Sequence, residues 1–352
     1  MSGASAPGDD EGVLVCLEAR PETHDVKTFI FAAAAGEPLS YAPGQFLTFE
    51  FAVGGEGLNR CYTLASSPTR PGRVAITVKR TGGPVSSWLH ATMAPGKRVR
   101  ALGPMGEFVC PADRSGRFLF LSAGSGITPL MSMARAHFDL ASPADIVFVH
   151  SARTPADLIF RRELEMMAAD RPNFRFAPIC EARSPDEAWS GYEGRLDLAR
   201  LTLIAPDFRD REVFLCGPSP YMAAARAMLD DAGLDMARLH AESFDFAELA
   251  AESPAAAAQP MGEAEVRFTV EFTKSRRRIE VGADQFVLGA AKAQGLRLPS
   301  SCTQGLCGTC KSRLVSGTVQ MSHQGGIRQR EIDQGLILLC CSKPTSNLVI
   351  ER

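Results

Sequence analysis

Cys302, Cys307 and Cys310 stand at C-x4-C-x2-C near the end of a 352-residue chain, and 29 residues separate Cys310 from Cys340. In a reducing compartment, thiols at such spacing bind metal more readily than they pair as disulfides. The spacing is that of plant-type [2Fe–2S] sites. Four thiolates around two irons need backbone donors at the sulfurs to carry the added charge. Gly305 and Gly308 would let the chain wrap that closely. A four-thiolate zinc site is the competing chemistry, although zinc loops usually show two tight C-x2-C pairs and only one is present. Cys341 breaks the 29-residue spacing and is read as a free thiol. Cys16, Cys61, Cys110, Cys180 and Cys216 lie apart from the cluster.

A second group occupies "NRCYTLASSP". A flavin needs a cation near its phosphates, a flat wall beside the ring and donors near N5. Arg60, Tyr62 and Thr63 offer these in one extended stretch. A strand sends Arg60 and Tyr62 to one face and Thr63 to the other. Downstream, Gly82-Gly83 precede Ser86-Ser87, as in a glycine turn entering a helix whose free N–H groups suit pyrophosphate. A third group is "LSAGSGITPLMSM". Gly124 and Gly126 permit a tight turn, and Pro129 suits the first helical position. Pro129 stands where G-x-G-x-x-G would place its third glycine, so the run departs from that fingerprint. In "HSARTPADLIF", Ser151 and Arg153 can hold a 2′-phosphate, or Arg153 can form a surface ion pair. No acidic residue obviously replaces them at that strand end.

The elements that must position these groups fall into three patterns. Residues 12–112 hold six short strand-like runs between Gly- and Pro-bearing turns, which predicts an antiparallel β-barrel. Residues 113–246 alternate apolar strand runs with helical runs, including "LIFRRELEMMAAD", which predicts an α/β domain with a parallel sheet. Residues 247–263, rich in Ala, Pro and Ser, read as a linker. Residues 264–352 hold strands, one helix capped by Asp284 and stopped by Gly295, the cysteine loop and more strands, "KSRLVSGTVQM" among them as a pair. That order predicts a small α+β domain.

Hydrophobic residues make up 45% and charged residues 22%, with a formal net charge of −2. This balance argues against a nucleic-acid binder. There is no secretory leader and no apolar run long enough for a membrane span, so a cytoplasmic protein is expected. From Ala264 onward 13 basic residues face 7 acidic ones; before it 25 face 33. A basic tail module on an acidic body suits electrostatic docking.

The tail resembles a plant-type ferredoxin, on the residues "CTQGLCGTC" and "LLCCSKPTSNLVI". The resemblance implies a β-grasp domain. Residues 12–246 resemble the ferredoxin–NADP reductase superfamily, on R-x-Y-T, the glycine turn, "GPMGEF" and "CGPSPYM". That likeness implies FAD, with FMN left open, held by Arg60, Tyr62 and Thr63, with Gly83, Ser86 and Ser87 at its phosphates. It places Cys216, Gly217, Pro218 and Thr128 by the nicotinamide, and Glu242 and Phe244 near the flavin. NADH is expected by analogy, with NADPH open. The domain order resembles reductase components of Rieske-type oxygenases. The stretch "HQGGIRQREIDQGLILLCCSKPTSNLVI" looks most like those serving quaternary-amine N-demethylating oxygenases such as glycine betaine monooxygenase. The implied path runs from NADH through FAD and the [2Fe–2S] cluster to a separate Rieske oxygenase. Alternatives are a reductase for a hybrid-cluster protein or a diiron epoxidase, and a zinc-stapled flavin sensor without turnover.

Overall fold

The computed structural model describes residues 10, 12–110, 112, 115–184, 187–244, 266–296, 298, 305, 308–323, 326–327 and 329–352. The stretch read as a linker falls outside them, as do Cys302 and Cys307. The chain divides into two compact units. One comprises Met1–Gly55, Tyr62–Pro104 and Phe108–Phe244, and the other Glu56–Cys61, Met105–Glu107 and Asp245–Arg352.

Six strands build the first sheet: β1 (Val13–Thr23), β2 (Val26–Ala33), β3 (Phe46–Val53), β4 (Glu56–Thr63), β5 (Val74–Lys79) and β6 (Arg98–Met105). Their order is β4-β3-β6-β1-β2-β5. β1 runs antiparallel to β2 and β6, and β2 antiparallel to β5. The sheet curls on itself, because Leu64, just past β4, bridges Ile76 of β5. Its lining is aromatic: Phe29, Phe31 and Phe49 are fully buried. Helix α1 (Pro84–Thr92) follows β5.

A second sheet of six strands, β7 (Arg117–Ala123), β8 (Asp145–Ala152), β9 (Phe174–Cys180), β10 (Tyr192–Glu193), β11 (Glu212–Gly217) and β12 (Leu239–Ser243), has the order β10-β9-β8-β7-β11-β12. Every pairing in it is parallel. Side-chain alternation splits the core into two layers. Phe118, Phe120, Ile146 and Phe148 pack with α2 (Ile127–Asp139) and α3 (Arg161–Asp170). Leu119, Leu121, Val147 and Val149 pack with α4 (Leu198–Ile204) and α5 (Ser219–Asp231). Burial on both faces explains the unbroken apolar runs. Helix α3 starts at Arg161, later than "LIFRRELEMMAAD" suggests, because Phe160 is left-handed at φ 57° and closes off helical backbone before it.

The C-terminal fold is a mixed sheet, β14-β13-β19-β15-β17, from β13 (Arg267–Phe272), β14 (Arg277–Gly282), β15 (Lys311–Ser316), β17 (Leu336–Leu338) and β19 (Leu348–Glu351). Helix α6 (Val287–Ala293) buries Val287, Leu288 and Ala291 in its core, and α7 (Gln329–Asp333) precedes β17. Asp284 does not cap α6. Phe286 holds the cap position, and Asp284 points to solvent with Lys343 at 3.7 Å. Gly295 does end the helix, at φ 80°. "KSRLVSGTVQM" is not a hairpin either: β16 (Val319–Met321) leaves β15 and pairs with β18 (Ser342–Pro344). Among the described residues no helix is long and apolar enough to cross a membrane.

Candidate functional site

Strand order reverses between β7 and β11, and an open parallel sheet binds ligands beyond the strand C-termini at such a switch point. The two loops singled out by sequence flank that point. Gly124 turns at φ 51° after β7, and Gly126 leads into α2 with no side-chain cap. The Ile127 amide, the first of α2, already bonds the Gly124 and Ser125 carbonyls, so an anion here would be drawn by the positive end of the helix dipole. A Cβ on Gly126 would sit 2.5 Å from the backbone of Cys216 and Gly217. The two loops thus touch, and only glycine fits between them. Thr128 is buried and donates to the Ser125 carbonyl at 3.1 Å. Pro129 is the third helical residue, not the first; that amide also lacks an intrahelical acceptor, so proline costs nothing there. Pro218 caps α5 directly after Gly217.

Beside Cys216 lies Glu242, its register partner on β12. Glu242 as a residue is half-buried, but its Oε2 is covered and has no hydrogen-bond partner. Burial pushes its carboxyl up to about 8. Burial, with Glu242 adding to it, also pushes the Cys216 thiol well up. Cys216 is thus a neutral thiol, unsuited to nucleophilic work. Phe244, half-buried, ends this stretch.

Burial along β4 does not alternate: residues 58–62 are all half-covered, and Thr63 is buried like Leu64 and Ala65 after it. Tyr62 meets Phe49 and Phe51 edge-on, with ring centroids 6.0 and 6.3 Å away. Thr63 Oγ1 is buried without a partner. The Arg60 guanidinium donates to the Asn59 carbonyl at 2.7 Å. At α1, Gly83 is the N-cap and offers no side chain, which leaves the helix amides open. The Ser86 hydroxyl is buried and donates to the Gly83 carbonyl at 3.1 Å, so it closes the turn instead of facing outward. Ser87 is half-exposed.

In the C-terminal fold Cys310 and Cys340 are both buried. Gly305 N–H donates to Cys340 Sγ at 3.2 Å, and Cys340 N–H to Cys310 Sγ at 3.4 Å. These are amide donors of the kind that thiolate ligands require. Gly305 lies at φ 75°, and a Cβ there would come within 2.8 Å of Cys341 Sγ and 2.9 Å of His323 Cα. The Cys341 thiol turns back toward the Leu338 carbonyl at 3.7 Å.

Three domain families match the chain: an oxidoreductase FAD-binding domain over residues 15–110, an oxidoreductase NAD-binding domain over 120–227 and a 2Fe-2S iron-sulfur cluster binding domain over 270–345. The glycine betaine monooxygenase reductase subunit of Pseudomonas aeruginosa is 45% identical, over 96% of this chain and 94% of its own. The chain belongs to this family of flavin and iron–sulfur reductases. The stachydrine N-demethylase reductase subunit of Rhizobium meliloti is 38% identical, over 97% of each chain. Phthalate dioxygenase reductase, a solved structure, matches with a TM-score of 0.57 and 25% identity over 97% of each chain. The residues present fit the three groups. The uncapped start of α1, the unpartnered buried oxygens of Thr63 and Glu242, and the amides that donate to the Cys310 and Cys340 sulfurs are features such groups would use.

Several residues of the reductase that matter here escape the sequence. Arg135 of α2 is buried, pairs with Glu163 of α3 at 2.6 Å and donates to the Ala65 carbonyl at 2.6 Å. Ser132 donates to the Ser66 carbonyl at 2.7 Å. The nucleotide-loop helix thus grips the chain just past Thr63. His150 is fully buried, takes part in a 2.8 Å hydrogen bond with Ser122 Oγ, and is pushed down to about 3 by burial, so it is neutral. Ser151 Oγ is buried beside the Tyr221 hydroxyl of α5. Arg153 bonds Asp157, an acidic residue that the sequence reading overlooks.

Proposed function

We propose that this reductase takes electrons from NADH and delivers them to a separate Rieske-type oxygenase acting on a quaternary amine, in the cytoplasm. The observation that carries the reading is that one chain joins the paired loops at the β7/β11 switch point to a thiolate pair already supplied with amide donors. The 45% relative is named as the reductase subunit of a glycine betaine monooxygenase, and the 38% relative as that of a stachydrine N-demethylase.

Bound FAD would accept two electrons as a hydride and release them singly to a one-electron [2Fe–2S] centre, chemistry that belongs to the cofactors. The chain's own residues bind and align. Arg60, Tyr62 and Thr63 would hold the flavin with Gly83 and Ser87 at its phosphates, and Ser86 would shape that turn. Gly124, Gly126, Thr128 and Pro129 would seat the dinucleotide pyrophosphate at the N-terminus of α2. Cys216, Gly217 and Pro218 would wall the nicotinamide, with Glu242 and Phe244 beside it. Cys302, Cys307, Cys310 and Cys340 would ligate the irons. Neutral Cys216 and a largely protonated Glu242 keep the pocket uncharged, which suits a cationic oxidised nicotinamide as product poorly and so favours its release.

The test is NADH-driven oxygen uptake and formaldehyde release by the reductase with a Rieske oxygenase of the same genomic neighbourhood and glycine betaine. Uptake that requires all three supports the reading. Purified, reconstituted protein that holds zinc and shows no bleaching of an iron–sulfur band with NADH would replace it with the sensor reading.

A further inference from the structure

A dinucleotide with its pyrophosphate on the loop after the first strand lays its adenosine over the end of the next strand, here β8. In such sites an arginine there takes the 2′-phosphate of NADP, and an acidic residue or hydroxyl takes the free ribose of NAD. Arg153 directly follows β8. Its guanidinium is 2.9 Å from Asp157 and 3.6 Å from Asp25, a residue of the β1–β2 turn in the barrel. The guanidinium side chain is 60% exposed, whereas those of Asp157 and Asp25 are 11% and 15% exposed.

That asymmetry decides what Arg153 can do. Asp157 spends one oxygen on the Thr154 amide and hydroxyl and turns the other to Arg153. Asp25 receives the Thr23 hydroxyl on one oxygen and shares the other between Lys79, at 3.3 Å, and Arg153. If Arg153 swung to a phosphate, Asp25 would keep Lys79 alone and the largely covered Asp157 would lose its guanidinium. Their charge would also repel the dianion. Lys79 and Arg153 together balance the two carboxylates, so the cluster that His24, Asp25 and Asp157 form is no place for a metal ion. At the end of β8 the buried Ser151 hydroxyl lies beside the buried Tyr221 hydroxyl of α5, and neutral hydroxyls suit a ribose diol.

We infer that Asp25 and Asp157 act as a specificity lock, holding Arg153 so that the reductase selects the dinucleotide without a 2′-phosphate. The inference rests on the NADH reading above and adds the residues that enforce it. Asp25 is a positioning residue, since it acts through Arg153.

Stopped-flow bleaching of the flavin in the full holoprotein, with NADH and with NADPH, tests this. The wild type should favour NADH. Asp25→Asn should raise the NADPH-to-NADH ratio of kcat/KM about fivefold, the scale of one exposed ion pair released. Adding Arg153→Ala to Asp25→Asn should return the ratio to that of the wild type. Arg153→Ala alone should move the ratio less than about twofold, since a guanidinium already paired contributes little to phosphate binding. A wild type that favours NADPH overturns the lock. So does a ratio unmoved in a folded Asp25→Asn holoprotein, or a gain that survives loss of Arg153. If Asp25→Asn does not fold, Arg153→Ala alone decides: a fall of about tenfold in NADPH use shows Arg153 already serving a phosphate. Failure of both nucleotides to bleach the flavin would instead refute the reductase reading itself.

Discussion

Glu242 and Cys216 face each other across the β11–β12 pair, with the Glu242 Oε2 covered by protein and unpartnered. A carboxylate left there would cost much more than a carboxylic acid. The carboxyl accordingly holds its proton up to about pH 8.

This has a pH consequence whose sign is fixed by linkage. The folded value lies above the unfolded one, so the stability linked to this proton is complete below about 4.5 and drains away as pH rises toward about 8. The slope is at most about 1.4 kcal/mol per pH unit. Glu242→Gln, which keeps the shape and cannot ionise, should lack it. Thermal unfolding from pH 5 to pH 9, on protein free of pyridine nucleotide, should show the variant gaining on the wild type up to about pH 8 and level beyond. Parallel curves would mean that water reaches the carboxyl.

Gly126 has no room to give. Its missing Cβ would lie 2.5 Å from Cys216 and Gly217 backbone atoms, which cannot rotate away as a side chain can. Gly126→Ala should push the α2 loop off the β11 loop, at about 1–3 kcal/mol of stability. Flavin reduction by NADH should fall by at least about a hundredfold, because a 1 Å misplacement already costs that much. Flavin content, read by absorbance, should stay near that of the wild type, since Gly126 does not belong to the barrel.

Much of this arrangement is legible in the sequence because it is written locally. Continuous apolar runs give away β7, β8 and β11, and glycines end β7 and β11 at Gly124 and Gly217. What the sequence hides is partnership across distance. Arg153 can be a phosphate ligand or an ion-pair partner until the fold brings Asp25 from the barrel beside it. Arg135 looks like any helical arginine until the Ala65 carbonyl and Glu163 close on it. Ser86 looks like a phosphate donor because its spacing is right, but its hydroxyl turns inward to Gly83. Asp284 fits a capping pattern, yet the helix begins after Phe286. Short patterns name the residues capable of a task; three-dimensional neighbours decide which perform it.

Adjacent Cys340 and Cys341 differ in what their sulfurs meet. Cys340 Sγ accepts the Gly305 amide, while Cys341 Sγ points toward the Leu338 carbonyl. Cys340→Ser should abolish acid-labile sulfide and the visible iron–sulfur band, and with them electron delivery to a one-electron acceptor. Cys341→Ser should keep both, with a stability loss of about 1 kcal/mol for placing a hydroxyl in the core around Ile337 and Leu338. Iron and sulfide analysis of the two variants, side by side, would reverse the assignment if Cys341→Ser were the one to lose its cluster.

Arg135 ties three segments with one side chain: α2 carries it, Glu163 of α3 pairs with it, and the Ala65 carbonyl beyond β4 accepts from it. Its guanidinium is 8% exposed, so removing it strands a carboxylate and a carbonyl in poor solvent. Breaking such a pair costs about 3–5 kcal/mol. Because Glu163 keeps 25% exposure, the lower end applies. Arg135→Ala should therefore lower the unfolding free energy by about 3 kcal/mol. It should also slow flavin reduction at saturating NADH, since the strand bearing Thr63 would lose its hold on the nucleotide-loop helix. Arg135→Lys should restore part of the stability but less of the rate, because one ammonium cannot reach Glu163 and the Ala65 carbonyl in the forked geometry of a guanidinium. Chemical denaturation and single-turnover reduction of the same three proteins separate the two effects, and equal recovery of both by lysine would reduce Arg135 to a packing residue.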